Sequence, residues 1–128
     1  MMLRSALFQD LKGGPTFLLW GDAQGMADLA ALFSRLARNS AAFADLGSIA
    51  RPVDGHIVTV RAATNSKGLV SAETGLDWLL NSSTLIRFAD LVSALAGSNG
   101  GHQYLEVGNT AEIGAMVSIG EYPDNLAP

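Results

Sequence analysis

The sequence predicts an α+β fold, with two β-α-β-β units forming a mainly antiparallel sheet of about six strands and both helices packed on one face. Three observations lead there. Two stretches, 22–36 and 84–96, carry apolar residues at helical spacing. Each follows a short apolar run containing a tryptophan, 16–20 and 76–80. Each precedes alternating segments broken by glycine, the pattern of a hairpin. Met26-Ala27-Asp28-Leu29 aligns with Phe88-Ala89-Asp90-Leu91 at an offset of 62, giving a candidate internal repeat over 15–62 and 76–119 within one domain, with 120–128 as a tail.

In order, residues 1–12 place Leu3, Leu7 and Leu11 at spacings compatible with a short amphipathic helix or an edge strand, and Gly13-Gly14-Pro15 ends them. Residues 16–20 are wholly apolar and β-prone, as in a central strand. Asp22 is placed to cap the first helix, whose buried stripe is Met26, Leu29, Leu32, Phe33 and Leu36. After a loop at 39–43, a strand near 46–51 is expected to pair with one at 56–62 across Pro52-Val53-Asp54-Gly55. Residues 69–72 read as a short extension and 76–80 as a strand. Asn81 to Thr84 offer caps for the second helix, which buries Leu85, Phe88, Leu91, Val92 and Leu95. The 97–101 loop follows a helix, so it reads as a C-cap rather than a phosphate cradle. Segments 102–107 and 113–119 alternate around a turn at Gly108-Asn109-Thr110, and 120–128 reads as polar.

Composition narrows the function classes. The chain has 128 residues, 48% hydrophobic and 16% charged, enough for one core and too few for two ordinary domains. Its net charge of −4, without basic blocks, argues against nucleic acid as a partner. The absence of cysteine excludes disulfides, thiolate nucleophiles and cysteine zinc sites, and fits a reducing compartment. The first apolar stretch is interrupted at Gln9, Asp10 and Lys12, and no run approaches the ~20 residues of a membrane span. A cytoplasmic protein with no membrane association is expected.

His56 and His102 open matching strands, and with Arg61, Tyr104, Glu106 and Glu121 they are candidates for a polar patch on the open sheet face. The chemistry offered is an acid/base histidine oriented by a carboxylate. The plainer explanation is a polar residue tolerated at a strand end. No pair among the two histidines and a glutamate sits at i, i+4 on a helix or i, i+2 on a strand, so no metal is expected, and no cofactor is expected either. Asp28 and Asp90 occupy matching helix positions that read as solvated boundaries, and Asp77 on its strand faces either water or a partner. No serine stands in a Gly-x-Ser-x-Gly elbow. Trp20 and Trp78 read as core, Tyr104 and Tyr122 as binding-surface aromatics.

Phe88-Ala89-Asp90-Leu91, Gly101-His102-Gln103-Tyr104-Leu105 and Ser118-Ile119-Gly120-Glu121-Tyr122-Pro123 together resemble small bacterial α+β proteins, some regarded as immunity proteins of polymorphic toxin systems. The resemblance covers about the last 50 residues and implies a non-enzymatic, acidic protein that blocks a toxin by binding it. The residues themselves, lacking a catalytic constellation, lead to a non-enzymatic interaction protein that uses its open sheet face or an edge strand to bind itself, as a homodimer, or a partner protein. The alternative is a small-molecule-binding protein or enzyme with a polar site at His56, Arg61, His102, Tyr104, Glu106 and Tyr122. A third reading is a subunit of an assembly with no ligand.

Overall fold

Two capped helices set the frame. The carboxylate of Asp22 accepts the Gly25 amide at 2.8 Å and opens α1, Ala23–Ala37, while the Asn81 side chain accepts the Thr84 amide at 2.9 Å and opens α2, Ser82–Ala96. In the computed structural model, which describes residues 3–39, 41–108 and 112–128, the two helices are equal in length and their buried positions coincide except at Leu32, whose counterpart Leu91 is half-buried rather than buried as expected. Gly25 corresponds to Thr84, Met26 to Leu85, Leu29 to Phe88, Phe33 to Val92 and Leu36 to Leu95, an offset of 59. The helices do not align at the expected offset of 62, which follows a local likeness of sequence instead of the caps.

The strands are β1 (Leu3–Phe8), β2 (Thr16–Gly21), β3 (Phe43–Asp45), β4 (Ala50–Pro52), β5 (Val58–Ala62), β6 (Gly68–Ala72), β7 (Gly75–Leu80), β8 (Gly101–Tyr104) and β9 (Gly114–Ile119). The class is α+β. The single, mainly antiparallel sheet of about six strands is not what forms: there are two mixed sheets, one of five strands in the order β4-β1-β2-β9-β8 and one of four in the order β3-β5-β7-β6. The first half runs ββαβββ and the second ββαββ, and each lends two strands to the other's sheet: β3 and β5 join β6 and β7, while β8 and β9 join β1, β2 and β4. Thus β5 lies parallel to β7, and β9 parallel to β2. Hydrophobic periodicity identifies strands but carries no information about such distant partners, which is why the sequence suggested local hairpins.

Three local expectations change accordingly. The first stretch is strand β1, and it lies between β4 and β2 rather than at an edge. Residues 69–72 belong to β6, which folds back on β7 through Glu73-Thr74. The hairpin across Pro52–Gly55 does not form. Instead β4 runs parallel to β1, the Val53 amide donates to the Ser5 carbonyl at 2.9 Å, and the Leu7 amide donates to Asp54 Oδ2 at 2.7 Å. The hairpin expected after 102–107 is seen as the antiparallel pair β8/β9, with β8 ending at Tyr104, while Asn109 and Thr110 of its expected turn lie outside the described residues. Gly75 is required where β5 meets β7: a Cβ there would overlap the Ile57 carbonyl oxygen, which accepts the Leu76 amide at 2.8 Å.

Both sheets and both helices share one core. Trp78 of β7 stands edge-on to Phe17 of β2 (centroids 6.1 Å apart) and Phe33 of α1 (5.6 Å), with Phe88 of α2 at 5.9 Å. The opposite face of the five-stranded sheet carries a second cluster, Ala6, Leu18, Trp20 and Met116, covered by Leu11, Tyr122 and Leu126. Trp20 Nε1 donates to the Pro123 carbonyl at 3.0 Å and Arg4 pairs with Asp124 at 3.3 Å. The expected polar tail is therefore a cover, and Tyr122 is a half-buried packing residue rather than a free surface aromatic. No helix is long and apolar enough to cross a membrane.

Candidate functional site

The six residues singled out from sequence fall at separate places. His102, Tyr104 and Tyr122 belong to the outer side of the five-stranded sheet, Arg61 to the outer face of the four-stranded sheet, His56 to the turn before β5, and Glu106 to the segment after β8. Tyr104 and Glu106 line one shallow cleft of about 260 Å³ with Lys12. His56 lines another of about 260 Å³ with Ser5, Asp45, Leu46 and Val58. Among the described residues no three His, Asp or Glu side chains gather as a metal site would need.

At the first histidine, Asp54 does three things at once. It accepts the Leu7 amide, the His56 amide at 3.1 Å and His56 Nδ1 at 2.8 Å. Burial pushes its carboxyl pKa up, but the hydrogen bonds from Leu7 and His56 outweigh burial and hold it below the ordinary range. An ionised carboxylate only accepts, so Nδ1 carries a proton, and the lone pair of an uncharged ring would stand on Nε2. That arrangement suits a general base. It also closes the edge of β1, since the Leu7 amide would otherwise face outward without a partner.

The sign of the pH effect follows. A folded pKa below the unfolded one stabilises the fold fully above the unfolded value, and the contribution disappears as pH falls through the folded value. We therefore expect Asp54→Asn to cost about 1–3 kcal/mol at neutral pH, because one amide oxygen replaces two accepting oxygens and leaves an N–H unpaired. The same variant should flatten the loss of stability below about pH 4, as followed by urea unfolding at stepped pH.

At the second histidine, His102 Nδ1 donates to Glu121, with both carboxylate oxygens at 3.0 Å, and Ser118 Oγ donates to Glu121 Oε1 at 2.6 Å. The hydrogen bonds from Ser118 and then His102 lower the Glu121 pKa. Although serine, carboxylate and histidine meet here, the carboxylate is in the middle and the Ser118 proton is directed to it. A catalytic triad needs the histidine between the other two. The cluster instead anchors the tail beside β8, with His102 edge-on to Tyr104 at 5.3 Å.

The third place is the outer face of the four-stranded sheet. Strand register sets Phe43 opposite Arg61, Thr59 opposite Asp77 and Asp77 opposite Val70, on the side away from the buried Val58, Val60 and Trp78. Arg61 Nε pairs with Asp77 Oδ1 at 3.1 Å, and its guanidinium lies 5.3 Å from the Phe43 ring centre. Phe43 is 56% exposed, the most exposed large apolar side chain among the described residues. The sequence pattern puts Phe43 in a loop, because a three-residue edge strand is too short for an alternation to register.

The two outer faces correspond residue by residue. Aligning the helices and the β2/β9 and β7/β5 registers matches Val70 with Ala6, Asp77 with Leu18, Leu79 with Trp20 and Phe43 with His102. One face is apolar and closed by the tail, whereas the other is mixed and uncovered among the described residues. Compared with known proteins, the chain matches no family model, no curated protein and no solved structure.

Proposed function

We propose that this chain is a non-enzymatic interaction protein that self-associates through the outer face of its four-stranded sheet. The observation that carries this reading is the inequality of two corresponding faces. Tyr122 and Leu126 cover the apolar one, while on the other Phe43 is 56% exposed, with the Arg61 guanidinium beside its ring and no tail segment over it among the described residues. A second copy suits that surface because a twofold contact must be self-complementary. Arg61 and Asp77 supply both charges side by side, and Phe43 of one copy supplies for Val70 and Leu79 of the other what Tyr122 and Leu126 supply on the covered face. Phe43→Asp tests it: sedimentation should show association weakened at least about tenfold, or about 1.4 kcal/mol, with circular dichroism unchanged because the side chain is exposed. An unchanged mass distribution would refute the proposal.

A second reading has one specific observation in its favour, the fixed tautomer of His56 beside a cleft. It makes the protein a binder of small molecules that donate a hydrogen bond to Nε2. Amide and imidazole shifts at His56 on titration with small alcohols and carboxylic acids, lost in His56→Phe, would support it; unchanged spectra at saturating concentrations would dismiss it.

A further inference from the structure

The two sheets differ by one strand. Matching β1 with β6, β2 with β7, β9 with β5 and β8 with β3 superposes the order of the four-stranded sheet on that of the five-stranded sheet, and leaves β4 unmatched. The place beside β6 that corresponds to β4 is occupied by no strand among the described residues. A groove of about 560 Å³ lies there, lined by Lys67, Leu69, Val70, Ser71, Glu112 and Ile113.

The first half shows what such an edge accepts. On β1, Ser5 and Leu7 direct their backbone groups outward: the Ser5 carbonyl takes the Val53 amide, and the Leu7 amide reaches Asp54. The matching residues on β6 are Leu69 and Ser71. The two-residue turn between Ala72 and Gly75 requires that closing pair to be hydrogen-bonded, so Ala72, Val70 and Gly68 bond toward β7. Leu69 and Ser71 then point their N–H and C=O groups at the groove. A strand edge of this kind is a template for an added strand.

We infer that the edge of β6 is a binding site for an extended segment of a partner protein, taken up as a fifth strand parallel to β6 in the manner of β4 on β1. The partner segment is β-prone and directs an apolar side chain at Leu69 and Ile113 between Lys67 and Glu112. A second copy of this chain is the poorer occupant: β6 against β6 across a twofold axis is antiparallel, whereas the internal precedent is parallel. The site lies at an edge and the self-association surface on a face, so one can fail without the other.

The probe is a synthetic peptide copying residues 49–55, the segment that covers β1, added at millimolar concentration. Amide hydrogen exchange in the free chain should be fast at Leu69 and Ser71 and slow at Val70; the peptide should slow Leu69 and Ser71 about tenfold or more and leave Val70 unchanged. Ser71→Pro removes an outward N–H without breaking the β7 ladder, and should abolish the peptide effect while preserving the self-association mass. Phe43→Asp should do the reverse. Slow exchange at Leu69 and Ser71 in the free chain, protection rising with chain concentration in the absence of peptide, or a peptide effect that survives Ser71→Pro would each overturn the inference.

Discussion

Replacing Trp78 by alanine is expected to cost about 3–5 kcal/mol, within reach of the whole stability of a domain this size. The reason is the position of the indole. It is buried in β7 and touches Phe17 of the other sheet, Phe33 of α1 and Phe88 of α2, so its removal opens a cavity where both sheets and both helices meet. Backbone strands on either side prevent that space from collapsing. Urea unfolding followed by circular dichroism measures the loss. A cost below about 1 kcal/mol would mean that the two sheets are not joined through this residue.

The double substitution Tyr122→Ser with Leu126→Ser should lower stability by about 2–4 kcal/mol and expose Trp20 to water. Both side chains cover the cluster of Ala6, Leu18, Trp20 and Met116, and neither contributes to the main core. The expected signature is a red shift of the Trp20 component of fluorescence, together with binding of a hydrophobic dye. Trp78 emission should stay fixed, which separates release of the tail from global unfolding. Unchanged tryptophan emission would show that residues 122–126 do not seal this face.

Helices were the most legible part of the sequence. Asp22 announces the first start, Asn81 to Thr84 offer several caps for the second, of which Asn81 is the one used, and stripes such as Met26, Leu29, Leu32, Phe33 and Leu36 announce the buried sides, because a helix is settled by neighbours within one turn. Both tryptophans were legible as core for the same reason, standing in short apolar runs. Pairing was not legible. Val58 to Ala62 has the same alternation whether it joins Ala50 to Pro52 in a hairpin or lies parallel to Leu76 to Leu80, and only the tertiary arrangement decides. The tail misled through its composition: Tyr122 and Leu126, spaced among Pro123, Asp124 and Asn125, are enough to cover a sheet face although the segment reads as polar.

The candidate residues show the same division. Asp54 as the partner of His56 was not legible, because Pro52 to Gly55 reads as a hairpin loop, although an aspartate two residues before an amide readily closes a turn on it. Arg61 has other neighbours than its strand position suggests: it meets Asp77 and Phe43 and belongs to neither histidine. Glu106 is held through its backbone, whose carbonyl accepts Arg87 Nη2 at 2.7 Å, so its carboxylate is not what the fold fixes. What carries the proposed function, the bare outer face against the covered one, becomes visible only when the two halves are set in register.

The most direct test of self-association through that face is the mass in solution by light scattering over a wide range of concentration. The account predicts a species of twice the chain mass that dissociates on dilution, and whose dissociation Phe43→Asp shifts to higher concentration. A single chain mass at every concentration would contradict it.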